Sequence, residues 1–171
     1  SFFGAGAKGI AYGPVECECD GRHILPMTDE IIERTISKYI DAAALAQKCG
    51  CGMVLIHAGH GWMLHQFLSP ITNTRTDQWG GSSVENRCRM LLAICDGIHK
   101  RCGQGFPIEV RISGSECYDG GFGIENGIAV AKQLEGHCQL IHVSAGNHEI
   151  EEVFAVTHPS MFLKDGCNVK Y

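Results

Sequence analysis

The sequence has no C-x-x-C pair, no block of basic residues and no apolar run near the length of a bilayer span. Each absence excludes something. Cys17 and Cys19, like Cys49 and Cys51, are separated by a single residue, too close for the usual structural zinc spacing. With no clustered Lys or Arg and a formal net charge of -5, a nucleic-acid or anionic-membrane surface is not expected. A transmembrane helix needs about 20 apolar residues, and no stretch approaches that; no N-terminal signal pattern is present either. No Gly-x-Gly-x-x-Gly follows a strand-like run, which weakens a dinucleotide-binding open sheet. No Lys ends such a run, which disfavours a Schiff-base aldolase. There is no initial methionine, so a processed or excised chain is expected.

What is present begins with bulk. The 171 residues, 44% hydrophobic, suffice for one globular domain with a core. Ten cysteines in a chain this long do not read as a secreted disulfide framework. Cys88, Cys95 and Cys102 recur every seven residues beside Leu91, Leu92 and Ile98, as small apolar residues on one buried helix face. A reduced, cytoplasmic setting follows as the expectation.

Residues 1–27 are Gly-rich, contain two prolines and read as an irregular lead-in. A helix is predicted from Thr28, a plausible N-cap, with Asp29 and Glu30 where the helix dipole favours anions. Ile32, Ile36, Tyr39, Ala43 and Ala46 keep helical spacing, and Gly50 is a natural stop. A strand is predicted over about 52–57. A long loop then runs from Gly61 to Gly81. A second helix is predicted from Ser82, with Glu85 at capping-box spacing, to about Cys102. A strand over 107–113, a helix over about 124–135 and a strand over 139–144 follow. Residues 28–146 thus form a βα core, and 147–171 a loop and tail. The alternation implies parallel βαβ units. Their strands end in polar groups: His57 and His60, Arg111 and Ser113, Ser144 and His148. That suits the mouth of a (β/α)8 barrel, yet a barrel takes about 250 residues and eight strands. The fold class expected is α/β, as part of a TIM barrel.

The densest chemistry lies at His57-Ala58-Gly59-His60-Gly61-Trp62-Met63-Leu64-His65-Gln66-Phe67-Leu68-Ser69-Pro70. Two imidazoles where a strand meets a glycine turn can donate hydrogen bonds, take protons or bind metal. Two more motifs follow. One is Thr72-Asn73-Thr74-Arg75-Thr76-Asp77-Gln78-Trp79-Gly80-Gly81-Ser82, continued by Glu85-Asn86-Arg87; the other is Val110-Arg111-Ile112-Ser113.

Together these motifs resemble the Old Yellow Enzyme family of flavin-dependent oxidoreductases, in its NADH:flavin oxidoreductase and 2,4-dienoyl-CoA reductase branch. The likeness runs from Val54 to His148. It implies a barrel carrying FMN at the C-terminal ends of its strands, with this chain spanning roughly the fourth to sixth βα units. It implies NADH or NADPH as reductant and an activated alkene, such as an α,β-unsaturated carbonyl, as substrate. FAD and an iron–sulfur cluster enter only if the complete protein belongs to the longer subgroup.

The resemblance also implies roles. His57 and His60 match the pair that hydrogen-bonds the substrate carbonyl oxygen, where negative charge develops as hydride arrives. Trp62 stands where many members have a proton-donating Tyr. An indole N–H is no usable acid near neutral pH, so Trp62 either faces the substrate without donating or packs over the pocket. His148, in Ser144-Ala145-Gly146-Asn147-His148-Glu149, matches a His that assists proton transfer, or is an exposed loop residue. Arg111 matches the Arg at the flavin N1/O2 edge; otherwise it pairs with Glu109 or Glu116. Arg75, Asp77 and Arg87 are expected to hold the long loop together, and Gly80-Gly81 to serve its backbone.

Two rival readings stand beside this one. A metal-dependent hydrolase or lyase would use His57, His60 and His65. Alternatively the chain is a non-catalytic barrel segment. A three-stranded parallel arc leaves edges and an interior face open, so the isolated chain is expected to be inactive and to associate, possible homo-oligomers included.

Overall fold

The computed structural model describes residues 9–19, 22–118 and 120–147. His148, together with most of the expected tail, lies outside them. Among the described residues ten elements follow one another: β1 Ala11–Gly13, β2 Cys17–Cys19, β3 Arg22–Pro26, α1 Asp29–Lys48, β4 Val54–Ala58, α2 Met63–Leu68, α3 Val84–Cys102, β5 Ile108–Ser113, α4 Ile124–Gln133 and β6 Leu140–Ser144.

The functional sheet is β4-β5-β6, parallel throughout and in sequential order. A doubly wound sheet reverses its strand order; a barrel arc does not. Paired positions on parallel neighbours share a face, so two faces can be read from the register. One face holds Ile56, Val110 and Ile141, then Ala58, Ile112 and Val143. It packs into the core with Leu64, Phe67, Met90, Leu91, Ile94 and Ile98 of α2 and α3. The other holds Leu55, Glu109 and Leu140, then His57, Arg111 and His142. Leu55 and Leu140 are exposed there, as expected for a barrel interior whose other wall is not in this arc.

Helix boundaries follow local chemistry. The Thr28 hydroxyl accepts the Ile31 amide and caps α1, as the sequence predicts. Cys88 and Cys95 on α3 are fully buried, and burial pushes both thiols up to about 12. They remain uncharged at neutral pH and act as the small apolar residues expected.

Three expectations are corrected. The lead-in of residues 1–27 is not irregular throughout: β3 pairs parallel with β1 and antiparallel with β2. These strands are three to five residues long, too short for periodicity to register. The segment from Gly61 to Gly81 is not all loop, because α2 occupies its start and buries Leu64, His65, Gln66, Phe67 and Leu68. A helix buried on nearly every side carries no amphipathic stripe to detect. The cap of α3 is Ser83 rather than Ser82; its hydroxyl accepts the Asn86 amide.

The remaining loop is held as expected. The Arg75 guanidinium pairs with Asp77 and donates to the Pro14 and Met27 carbonyls at 2.7 and 2.9 Å, joining the loop to the β1–β3 sheet. The hydrogen bond with Arg75 holds the Asp77 carboxyl below the usual range, against the opposing effect of burial. Arg87, buried on α3, donates to the carbonyls of Leu68, Gly81 and Ser82. It clamps both ends of the loop with one fixed fork.

Candidate active site

β4 delivers His57 to the sheet face shared with Arg111 and His142. The chain then turns sharply. His60 has φ 58° and Gly61 φ 82°, two consecutive left-handed residues. The second is undemanding for glycine; the first is strained for a residue with a Cβ and must be held by its surroundings. The holding contacts are present. The His60 amide donates to Ser113 Oγ at 2.9 Å, and that hydroxyl donates to the Gly146 carbonyl at 2.9 Å. His60 also bridges Asn147 through the backbone. The Gly61 amide donates to His65 Nδ1 at 3.0 Å, and the Gln66 side-chain amide donates to the Gly61 carbonyl at 2.7 Å.

The two imidazoles of the motif meet. His57 Nε2 and His60 Nδ1 are 3.3 Å apart, with the rings edge to face. His60 Nε2 lies 2.8 Å from Ser144 Oγ at the end of β6. Trp62 is 38% exposed, its ring centroid 6.5 Å from that of His57, so it neighbours the pair without being buried by it.

Arg111 makes neither of the ion pairs considered from sequence. Glu109 pairs with His142 at 3.0 Å, and Glu116 is engaged with His65 at 3.3 Å. Arg111 Nε is buried and has no hydrogen-bond partner among the described residues. A buried guanidinium N–H calls for an acceptor, so this face is chemically suited to a group presenting carbonyl oxygen or ring nitrogen.

Beneath the turn lies a second cluster. Glu116 is fully buried and accepts from Ser69 Oγ at 3.0 Å, the Phe122 amide at 2.6 Å and the Asn147 side-chain amide at 2.7 Å. Burial alone would raise its pKa, but the nearby His65 ring and the Phe122 and Asn147 donors together hold it below the ordinary range. His65 Nδ1 takes the Gly61 amide, so its ring hydrogen sits on Nε2, facing Glu116.

That arrangement turns His65 away from the other two imidazoles of the metal reading. His65 is buried, its Nδ1 accepting the Gly61 amide and its Nε2 lying 3.3 Å from Glu116. Among the described residues no three His, Cys, Asp or Glu side chains are grouped to hold a metal ion.

The model of the NADH:flavin oxidoreductase / NADH oxidase family matches residues 13–161. The chain belongs to that family. It is 38% identical over 145 residues to an NADH oxidase of Thermoanaerobacter brockii, covering 84% of this chain and 22% of that protein. It is 38% identical over 167 residues to an NADPH dehydrogenase of Bacillus subtilis, covering 96% of this chain and 46% of that protein. The Old Yellow Enzyme structure from a Pichia species superposes with a TM-score of 0.61 at 32% identity, over 72% of this chain and 35% of the other. The expected resemblance and the α/β partial-barrel fold therefore stand. The chain spans less than half the length of both relatives.

The sequence names His57, His60, Trp62 and Arg111 as candidates and shows Ser113 and Ser144 at strand ends. Sequence reasoning missed the buried Glu116–His65 anchor. The nearest signal was a lone glutamate after β5, read only as a partner for Arg111.

Proposed function

We propose that the complete protein is an FMN-dependent ene-reductase that takes hydride from NADH or NADPH and passes it to an activated alkene such as an α,β-unsaturated carbonyl. The observation that carries this reading is the in-register row His57, Arg111 and His142, with the buried Arg111 Nε lacking an acceptor among the described residues. FMN, when bound, supplies the two-electron carrier between nicotinamide and alkene.

The residues present fit that group. Arg111 supplies a fixed cation and an unsatisfied donor for the N1/O2 edge that the family resemblance assigns to it. His57 and His60 orient the substrate carbonyl and stabilise the negative charge that grows on its oxygen. Trp62 packs beside the pair, offering an apolar wall and an N–H donor but no acid. His148, four positions after Ser144 in the sequence, stands as a candidate proton donor. The α,β-unsaturated substrate class rests on this pairing of imidazoles with a flavin-edge Arg.

The test is direct. The complete protein should purify yellow, release FMN on denaturation and oxidise NAD(P)H faster when an α,β-unsaturated ketone is added. Arg111→Leu should lower the flavin content, while His57→Ala should keep the flavin and lose alkene turnover by 10²–10³-fold, the scale of removing one oxyanion donor, about 2.7–4 kcal/mol. A colourless, flavin-free protein purified under native conditions refutes the reading.

A further inference from the structure

We propose that Ser144, acting through His60, sets which ring nitrogen of His57 carries hydrogen, so that the three residues form one hydrogen-bonded unit. The inference rests on the reading above only in taking His57 as facing the substrate carbonyl.

The geometry is a continuous chain. Ser144 Oγ lies 2.8 Å from His60 Nε2 and 3.2 Å from the Ile112 carbonyl. His60 Nδ1 lies 3.3 Å from His57 Nε2. A neutral imidazole has one N–H and one lone pair, on different nitrogens, so each hydrogen bond fixes the next. When the Ser144 hydroxyl donates to the Ile112 carbonyl, its oxygen accepts Nε2–H from His60. His60 Nδ1 then accepts Nε2–H from His57, and His57 Nδ1 carries a lone pair.

When the hydroxyl turns to His60 Nε2, the order reverses. His60 Nδ1–H donates to His57 Nε2, and the hydrogen of His57 sits on Nδ1. Both arrangements hold the same number of hydrogens and the same charge. They differ in whether His57 Nδ1 donates or accepts, and only a donor polarises a carbonyl oxygen.

The surroundings leave the hydroxyl as the moving part. Ser144 is buried at the end of β6. The backbone of His60 is pinned by Ser113 Oγ and by its bridge to Asn147. The His60 ring is thereby held between Ser144 and His57, and the Ser144 hydroxyl is the rotor beside it. Ser144 is a positioning residue in this scheme.

The test reads ring nitrogens. Long-range proton–nitrogen spectra of 15N-histidine-labelled complete protein report which nitrogen of each imidazole carries hydrogen. Ser144→Ala should shift the ring nitrogens of both His60 and His57, and Ser144→Thr, which keeps the hydroxyl, should return both to the wild-type pattern. A change confined to His60, or no change, overturns the inference. If Ser144→Ala does not fold, Ser144→Cys, whose thiol is a weak hydrogen-bonding group, is read in the same way. Flavin content measured on the same samples separates the two proposals. Flavin-free protein whose His57 responds refutes the flavin reading and upholds this one. Flavin-bound protein whose His57 stays fixed does the reverse.

Discussion

His65 and Glu116 form a buried pair, Nε2 to Oε1 at 3.3 Å, that ties the His60–Gly61 turn to the ends of β5 and β6. Both side chains are essentially inaccessible to water. Removing the charge therefore leaves donors unmatched in a medium that cannot replace it.

Glu116→Gln keeps the shape but places an NH2 group where an acceptor stood. A loss of about 2–4 kcal/mol is expected in urea unfolding at neutral pH, the scale of charge-assisted bonds to a buried carboxylate. Glu116 has a depressed pKa in the folded state. Its contribution is fully present above the unfolded carboxyl pKa and is lost as pH falls through the lower folded value. Wild-type stability should therefore fall across the acidic range more steeply than that of the Gln variant. Parallel pH profiles for the two proteins would count against an ionised Glu116.

Capping of α3 gives a cleaner contrast. Ser83 accepts the Asn86 amide, whereas no cap bond is assigned to Ser82, which is exposed. Ser83→Ala should cost about 1 kcal/mol, and Ser82→Ala should fall within the ±0.5 kcal/mol typical of a neutral surface change. Thermal unfolding of the two variants side by side distinguishes them. Equal losses would mean that the capping box read from sequence forms after all.

Gly127 inverts the usual rule for helix interiors. Alanine ordinarily stabilises a helical glycine position by up to about 1 kcal/mol. Here a Cβ would stand 2.6 Å from the Gly114 carbonyl oxygen, where α4 passes over the loop after β5. Backbone cannot step aside as a side-chain end can, so Gly127→Ala should destabilise by roughly 1–3 kcal/mol. A variant as stable as wild type or more so would show that this crossing is looser than the contact implies.

The strands and helices that carry the site were legible because their chemistry is local. Ile108 to Ser113 alternates Ile, Val and Ile with Glu, Arg and Ser, and Thr28 precedes two acids in a first helical turn. The His57 and His60 motif identified its own neighbourhood. What stayed hidden depends on distant partners. His65 looked like a third ligand because spacing shows proximity in the chain and not the direction of a ring. Only the fold brings Glu116, 51 positions on, against it. Ser144 likewise lies 84 positions from His60, and nothing in local sequence couples a strand-end hydroxyl to that imidazole.

Trp62 supplies a prediction about the second half of the proposed reaction. Its indole sits beside His57 and is partly exposed, so the position borders the pair without filling the core. An indole N–H gives no proton near neutral pH, whereas a phenol, with pKa near 10, serves as a general acid. Trp62→Tyr should therefore leave nicotinamide-driven flavin reduction unchanged and raise the rate of alkene reduction by about tenfold or more, below the 10²–10⁴-fold of an optimised acid. Stopped-flow measurement of the two half-reactions separates them. An unchanged alkene step would place the proton source elsewhere, with His148 the next side chain to substitute. A slowed one would show that the indole's bulk shapes the pocket more than its missing acidity limits it.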